Sequence, residues 1–187
     1  KKLKRERRYV QEAGISMEVR TGADVTPELW DLFYTFYTDN IQRHGGMIHL
    51  TRDFFQMLGR SLPEALVLVL ARRGAEVVGA AINLRDQHAL YGRYWGGHEG
   101  FNSLHFEACY YTPIEYCIAQ GLSRFEGGAG GEHKLARGFL PVTTHSLHWL
   151  RHPQFARAVA DFLERERNGV EVYMDELNEH APFRKVE

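Results

Sequence analysis

The sequence predicts a mixed α/β domain, a central and mostly antiparallel sheet flanked by helices. Residues 65–71, 76–84 and 89–95 are three short apolar runs joined by tight turns, the pattern of an antiparallel meander. Segments with apolar residues at helical spacing stand before and after them. Arg124-Phe125-Glu126 then reads as a further strand, beside the helix that follows the meander. The order α α β β β α β (β) α belongs to a mixed sheet, with loops gathered at one end.

Each element has a local reason. Residues 1–8 hold six basic residues and one acidic, within a basic segment over 1–15. They form a solvated helix end or an ordered tail, or else a contact to phosphate, nucleic acid or an anionic lipid surface. Residues 16–20 alternate like a short strand. Thr26-Pro27-Glu28 opens a helix, with Thr as cap, Pro in the first turn and Glu at the positive dipole end. Leu29, Leu32, Phe33, Phe36, Tyr37 and Ile41 form its inner face, and Gly45-Gly46 stops it. Thr51 caps a second helix with Phe54, Phe55 and Leu58 inward, ending before Pro63. The unbroken apolar run 65–71 suits a strand buried on both faces. Helical residues over 103–120 meet Pro113, where Thr112-Pro113-Ile114-Glu115 is itself a capping box. A helix start at 113 and a longer helix kinked there both fit. Residues 142–149 suit another strand. Pro153 opens a last helix, with Asn168-Gly169 as its stop and a polar tail over 170–187.

A chain of 187 residues fits one domain over 1–187 and is long enough to bury a core. A net charge of −1 excludes polyanion binding by bulk charge. No apolar run approaches the length of a membrane span, and no signal peptide is visible. The chain begins with Lys, so we expect a piece of a longer protein. Cys109 and Cys117 on one helix would stand about 12 Å apart, too far for a disulfide, which fits a reducing compartment.

Residues 90–141 carry most of the chemistry. His105, Glu107, Cys109, Tyr110 and Tyr111 crowd one helical stretch. Gly127, Gly128, Gly130 and Gly131 then precede Glu132, His133, Lys134 and Arg137. Neither packing nor a scaffold loop needs that mixture. Glycines let backbone N–H groups approach an anion closely, but the loop is no P-loop and no dinucleotide fingerprint. Arg93, between two aromatics, is a buried ion-pair partner or an anion clamp. His145, His148 and His152 match no zinc spacing, and we expect no metal.

The strings YGRYWG, LHFE-CYY-IEYCI--GL and FEGGAGGEHK-ARGFLPV-T-S-HW resemble the FemAB-like predicted N-acyltransferases, which carry the label of peptidoglycan biosynthesis or recognition, within the GNAT-related superfamily. The likeness runs through nearly the whole chain. It implies a GNAT fold, acyl or aminoacyl transfer to an amine, and an N-terminal GNAT-like half that pairs with this C-terminal one. The family's loop reads Gly-Ala-Gln-Gly-Glu-His-Lys, and Gly130 stands here in place of Gln, so a substrate contact at that point is expected to be weakened or altered. The pyrophosphate signature of GNAT enzymes is not clear after the third strand. Fem-type ligases, which take aminoacyl-tRNA, lack it too.

N-acyl transfer needs a base for the amine, donors for the oxyanion and an acid for the leaving group. We expect Glu107 as base, with His105 and His133 as rivals, and Tyr110 or Tyr111 facing the site. Otherwise Glu107 is a buried carboxylate tied to a core partner such as Arg93. Arg93, Glu132, Lys134, Arg137, Gly128, Gly130, Gly131 and Tyr111 are the expected binding residues. No cofactor is held tightly, acyl-CoA is the favoured co-substrate, and aminoacyl-tRNA is the alternative. The acceptor is expected to be an amine of a cell-envelope precursor or amino lipid, handled in the cytoplasm or against the inner membrane face. Residues 1–8 would meet tRNA or lipid. A non-catalytic module that recognises envelope precursors or braces its partner half is the other reading.

Overall fold

A computed structural model describes residues 1–128 and 131–183. The chain forms two compact units, Lys1–Ala129 and Gly130–Glu187. The first unit holds a five-stranded sheet of β1 (Ile15–Thr21), β2 (Leu66–Arg73), β3 (Glu76–Arg85), β4 (Ala89–Gly97) and β5 (Arg124–Glu126), in that order across the sheet. The first four strands pair antiparallel, whereas β5 joins β4 in parallel. A parallel neighbour needs a crossover, and the helical stretch 104–120 supplies it.

Helices α1 (Lys2–Glu12), α2 (Pro27–Arg43) and α3 (Arg52–Ser61) complete this unit. The hydroxyl of Thr26 accepts from the N–H of Leu29 at 3.4 Å, and that of Thr51 from Phe54 at 3.2 Å, so both expected caps form. Trp30, Phe33, Phe36 and Tyr37 of α2 and Phe55 of α3 pack on Leu66, Leu68, Leu70, Ala80 and Ile82. The opposite face of the sheet, with Val67, Val69, Ala81 and Leu90, meets Ala108 and Cys117 from the 104–120 stretch. Strand β2 is thus covered on both sides, which accounts for its unbroken apolar run. Fully burying side chains such as Phe55 or Leu68 contributes about 1.5–3 kcal/mol each. Trp30 belongs to the inner face as well, three and seven residues before Phe33 and Tyr37, although the expected face omits it.

The stretch 104–120 is one continuous helical run. Leu104–Phe106 (α4) is α-helical, Glu107–Tyr111 is a π turn, and Thr112–Gln120 (α5) returns to α. The N–H of Thr112 bonds to the carbonyl of Glu107, five residues back. Pro113 therefore neither starts a helix from a loop nor breaks one. It follows a turn already wound wide, where its missing N–H costs less than in a regular helix interior.

In the second unit, Glu132–Arg137 forms a 3-10 turn and Pro153–Glu179 forms a long helix, α6. His152 caps it, its Nδ1 accepting from the N–H of Phe155 at 3.4 Å. Two expectations fail here. Residues 142–149 are irregular and form no strand. Helix α6 does not stop at Asn168-Gly169 but runs to Glu179, so most of the expected tail is helical. Gly169 has negative φ and open space around it, and a helical glycine costs only about 1 kcal/mol, which propensity over the neighbouring residues outweighs.

Candidate functional site

Strand β4 is where the candidate site begins. Its pairing with β5 lasts three residues and ends at Tyr91 opposite Glu126, while β4 continues to Gly97. From Gly92 onward β4 is the edge of the described sheet. Its backbone pairs with β3 on one side only, so the other side offers hydrogen-bonding groups to an extended ligand. Register with β3 slips at the same place. Ile82 faces Tyr94 and Asn83 faces Gly92, which leaves Arg93 as the extra residue of a β-bulge. A Cβ at Gly92 would lie 3.5 Å from the Glu126 carbonyl oxygen and 3.8 Å from Gly127 Cα, in ordinary van der Waals contact with the departing chain. Past Glu126 the chain enters Gly127 and Gly128, the latter in the left-handed region at φ 83.

The two faces of this edge differ. Tyr94 sits edge-on to Tyr37 and Phe55 on the α2 side. Trp95 points the other way, into space kept open by Gly79, and its ring lies 5.8 Å from that of His105. Tyr91, Arg93 and Arg124 lie on the α2 side, beyond the cover of α2. The Arg93 and Arg124 guanidiniums stand 5.7 and 5.9 Å from the centre of the Tyr91 ring. Arg124 also donates to the Tyr91 hydroxyl at 3.1 Å and pairs with Glu126 at 3.2 Å. The Tyr91 hydroxyl in turn donates to Asp86 at 2.9 Å.

The helical run supplies His105, Glu107, Tyr110 and Tyr111. His105 stands among aromatic rings, 5.4 Å from Phe106 and 5.4 Å from the buried Tyr110, which meets it edge-on. Glu107 is buried, but its partner is not Arg93, which is exposed and belongs to the other face. Arg7 of α1 holds it instead, donating from Nη2 at 2.9 Å and from Nε at 3.1 and 3.2 Å. Thr112 adds a hydrogen bond at 3.4 Å. The same guanidinium reaches Glu115, and the two carboxylates, Glu115 first, push the Arg7 pKa up. Tyr111 donates to the buried carboxylate of Glu6. Of the basic residues in 1–8, Arg7 and Arg8 have carboxylate partners, whereas Lys1, Lys2, Lys4 and Arg5 face outward.

Sequence reasoning missed Arg7, Glu6 and Trp95. No local signal ties Arg7 to a carboxylate 100 positions away, and only the lone acid Glu6 among six bases hinted that α1 has an inner face.

The second unit holds the other expected residues. Gly131 and Gly138, at φ 86 and 89, bracket the turn that carries Glu132, His133, Lys134 and Arg137. Arg137 is buried and donates to the backbone carbonyl of His133 at 2.7 Å. The His133 ring lies over Gly131, whose absent Cβ would come within 2.7 Å of it. Burial, then the charges of Arg137 and Lys134, hold the His133 pKa below its ordinary value, which keeps the ring neutral near pH 7. Gly130 lies outside the described residues. His148 bonds to Ser146, His152 serves as a helix cap, and among the described residues no three potential metal ligands converge. A cavity of about 260 Å³ beside Trp30, Gln56 and Arg60 touches none of the candidate residues.

A family model described as FemAB-like, peptidoglycan biosynthesis/recognition, matches residues 1–185. A search of curated proteins found no match. Among solved structures, a possible acetyltransferase from Clostridium difficile 630 superposes with a TM-score of 0.52 at 10% identity, over 73% of this chain and 99% of that one. A ribosomal-protein-alanine N-acetyltransferase from Brucella melitensis gives 0.50 at 14% identity, over 74% and 99%. The C-terminal domain of a putative lysylphosphatidylglycerol synthetase from Agrobacterium fabrum gives 0.51 at 10% identity, over 66% of this chain but 40% of that one. At such identities these likenesses establish the GNAT fold alone.

Proposed function

The chain belongs to the FemAB-like family of peptidoglycan biosynthesis/recognition proteins, and from that premise we propose that it is an N-acyltransferase, moving an acyl or aminoacyl group from a thioester or ester to an amine. The observation that carries this reading is the edge of β4 beyond Tyr91, unpaired among the described strands, bulged at Arg93 and flanked by His105 and Tyr110. An extended donor can add to that edge as a short strand, its carbonyl fixed by backbone N–H groups. The amine nitrogen attacks the carbonyl carbon, a tetrahedral oxyanion forms, and the C–S or C–O bond then breaks. His105 takes the proton that the amine loses. The Tyr110 hydroxyl gives one to the leaving thiolate or alkoxide, so the net transfer is from amine to leaving group.

Within this scheme Glu107 acts as a brace rather than as the base. Both its oxygens are engaged by Arg7, and accepting a proton would cost it that pair. Acyl-CoA is the donor we favour, and the acceptor we favour is an amine of an envelope precursor or amino lipid. An aminoacyl donor is the second reading, favoured by the outward Lys1, Lys2, Lys4 and Arg5 of α1 and by the fold shared with the lysylphosphatidylglycerol synthetase domain.

The test is calorimetric titration with coenzyme A, acetyl-CoA and a long-chain acyl-CoA, followed by product analysis by mass spectrometry. Donor binding with turnover, and a loss of roughly 10²–10⁴-fold in turnover for His105→Gln with binding kept, is the expected result. Undiminished turnover in His105→Gln would rule out His105 as the base. No binding of any of the three would leave the aminoacyl donor or a pure recognition role.

A further inference from the structure

We propose that Arg93, with Arg124 and the Tyr91 ring, forms an anion subsite that selects an acceptor carrying a carboxylate or phosphate close to its amine. The inference rests on the acyl-transfer reading and deepens it by naming the acceptor class.

Bulging places Arg93 on the α2 face of β4, at the point where β5 leaves the sheet. Charges around it are already accounted for. Glu126 offsets Arg124. Asp86 accepts from the N–H groups of His88 and Ala89, both at 2.7 Å, and from the Tyr91 hydroxyl. Arg93 is exposed and has no carboxylate partner among the described residues. It rests on the Tyr91 ring instead, which restrains the guanidinium plane without using its N–H donors.

Arg124 contacts the same ring from β5, with its hydroxyl as hydrogen-bond partner. Two guanidiniums are therefore drawn to one aromatic platform, Arg124 paired with Glu126 and the Tyr91 hydroxyl and Arg93 with open donors. A planar fork with open donors suits carboxylate or phosphate, which it can bind in a bidentate manner. Along the β4 edge, His105 and Tyr110 approach from one face and Arg93 from the other. An acceptor whose amine reaches His105 past the edge of β4 would leave its anionic group on the Arg93 side. Neutral amines lose that anchor.

Two measurements on the full chain test this. The first needs no turnover: side-chain ¹⁵Nε shifts of Arg93 and Arg124 are followed during titration with O-phosphoethanolamine, β-alanine and ethanolamine. Saturable shifts with either of the first two and none with ethanolamine are expected, and whichever anion gives the tighter curve identifies phosphate or carboxylate. The Arg124 shift should vanish in Arg93→Gln and return in part in Arg93→Lys, and both shifts should be unchanged in Arg60→Gln. The second is steady-state transfer. Arg93→Gln should raise KM for the anionic amine about tenfold, with KM for ethanolamine and the donor Kd unchanged. Absence of anion-dependent shifts at Arg93, or equal KM changes for neutral and anionic amines, overturns the subsite. Anion binding without any transfer would instead leave the subsite standing and remove the acyltransferase.

Discussion

Replacing Arg7 by Met should unmask how much of the first unit depends on α1. The substitution keeps most of the apolar stem and removes the guanidinium from a carboxylate that is 7% exposed. Removing one partner of a fully buried pair costs about 3–5 kcal/mol, whereas an exposed pair is worth about 0–1. Arg7 itself is 37% exposed, so water relieves part of the loss. Thr112 also stays within reach of Glu107. An intermediate cost of about 2 kcal/mol follows, equivalent to a fall of about 4–8 °C in Tm for a chain of this size. Arg8, in an exposed i,i+4 pair with Glu12, is the control, and Arg8→Met should cost no more than about 0.5 kcal/mol. The assay is urea and thermal unfolding followed by tryptophan fluorescence and circular dichroism. In the double variant Arg7→Met/Glu107→Gln the stranded charge is gone, so much of the loss should return. If Arg7→Met behaves like Arg8→Met, and the double variant is simply additive, the proposed brace does not exist.

Other consequences can be checked separately. Gly96→Ala would place a Cβ 2.1 Å from the Phe36 carbonyl oxygen, a backbone contact that cannot yield, so soluble yield should collapse; Gly100→Ala, which meets nothing within 4 Å, should cost only the strain of its positive φ, about 1 kcal/mol. Burial pushes the Cys117 thiol up, more than the charge of Arg85 lowers it, so iodoacetamide at pH 8 should modify Cys109 well before Cys117, and equal rates would contradict that packing. Hydrogen bonds from His88, Ala89 and Tyr91 hold Asp86 below the usual carboxylate range. Its stabilisation is present above its unfolded pKa of about 3.9 and is lost as pH falls through the lower folded value. The Tm gap between the wild type and Asp86→Asn should therefore be widest near neutral pH and close in acid.

Much of the scaffold could be read from local chemistry. Thr26 and Thr51 act through neighbours a few residues away, and the apolar run in β2 announces burial on both faces by itself. What escaped the reading depends on distant partners or on subtle winding. Arg7 looked like one of six solvated bases, because nothing near it betrays Glu107. The helix break at Gly169 was a propensity argument, and propensity is weak against a run of good helix formers. Residues 142–149 have the composition of a strand, but their unit holds no strand among the described residues. At the site, His105, Glu107, Tyr110 and Tyr111 were all picked out by their density, yet their division of labour was not. Only placement shows that two of them, Glu107 and Tyr111, serve α1, while the other two form an aromatic pair.

The wide turn at Glu107–Tyr111 acts as a phase shifter. In an uninterrupted α-helix, Ala108 and Cys117 would be separated by about 180° of rotation, on opposite sides. One extra residue in the turn removes about 100° of that angle, so both can face the sheet, Ala108 over Val69 and Ala81, and Cys117 over Val67 and Leu90. The end bearing His105 is thus set in angle independently of the end that anchors the helix. Deleting a single residue within this turn would leave composition and helicity almost untouched while swinging His105 away from Trp95. A one-residue insertion or deletion here is a way to re-aim the chemistry of such a domain without rebuilding its core.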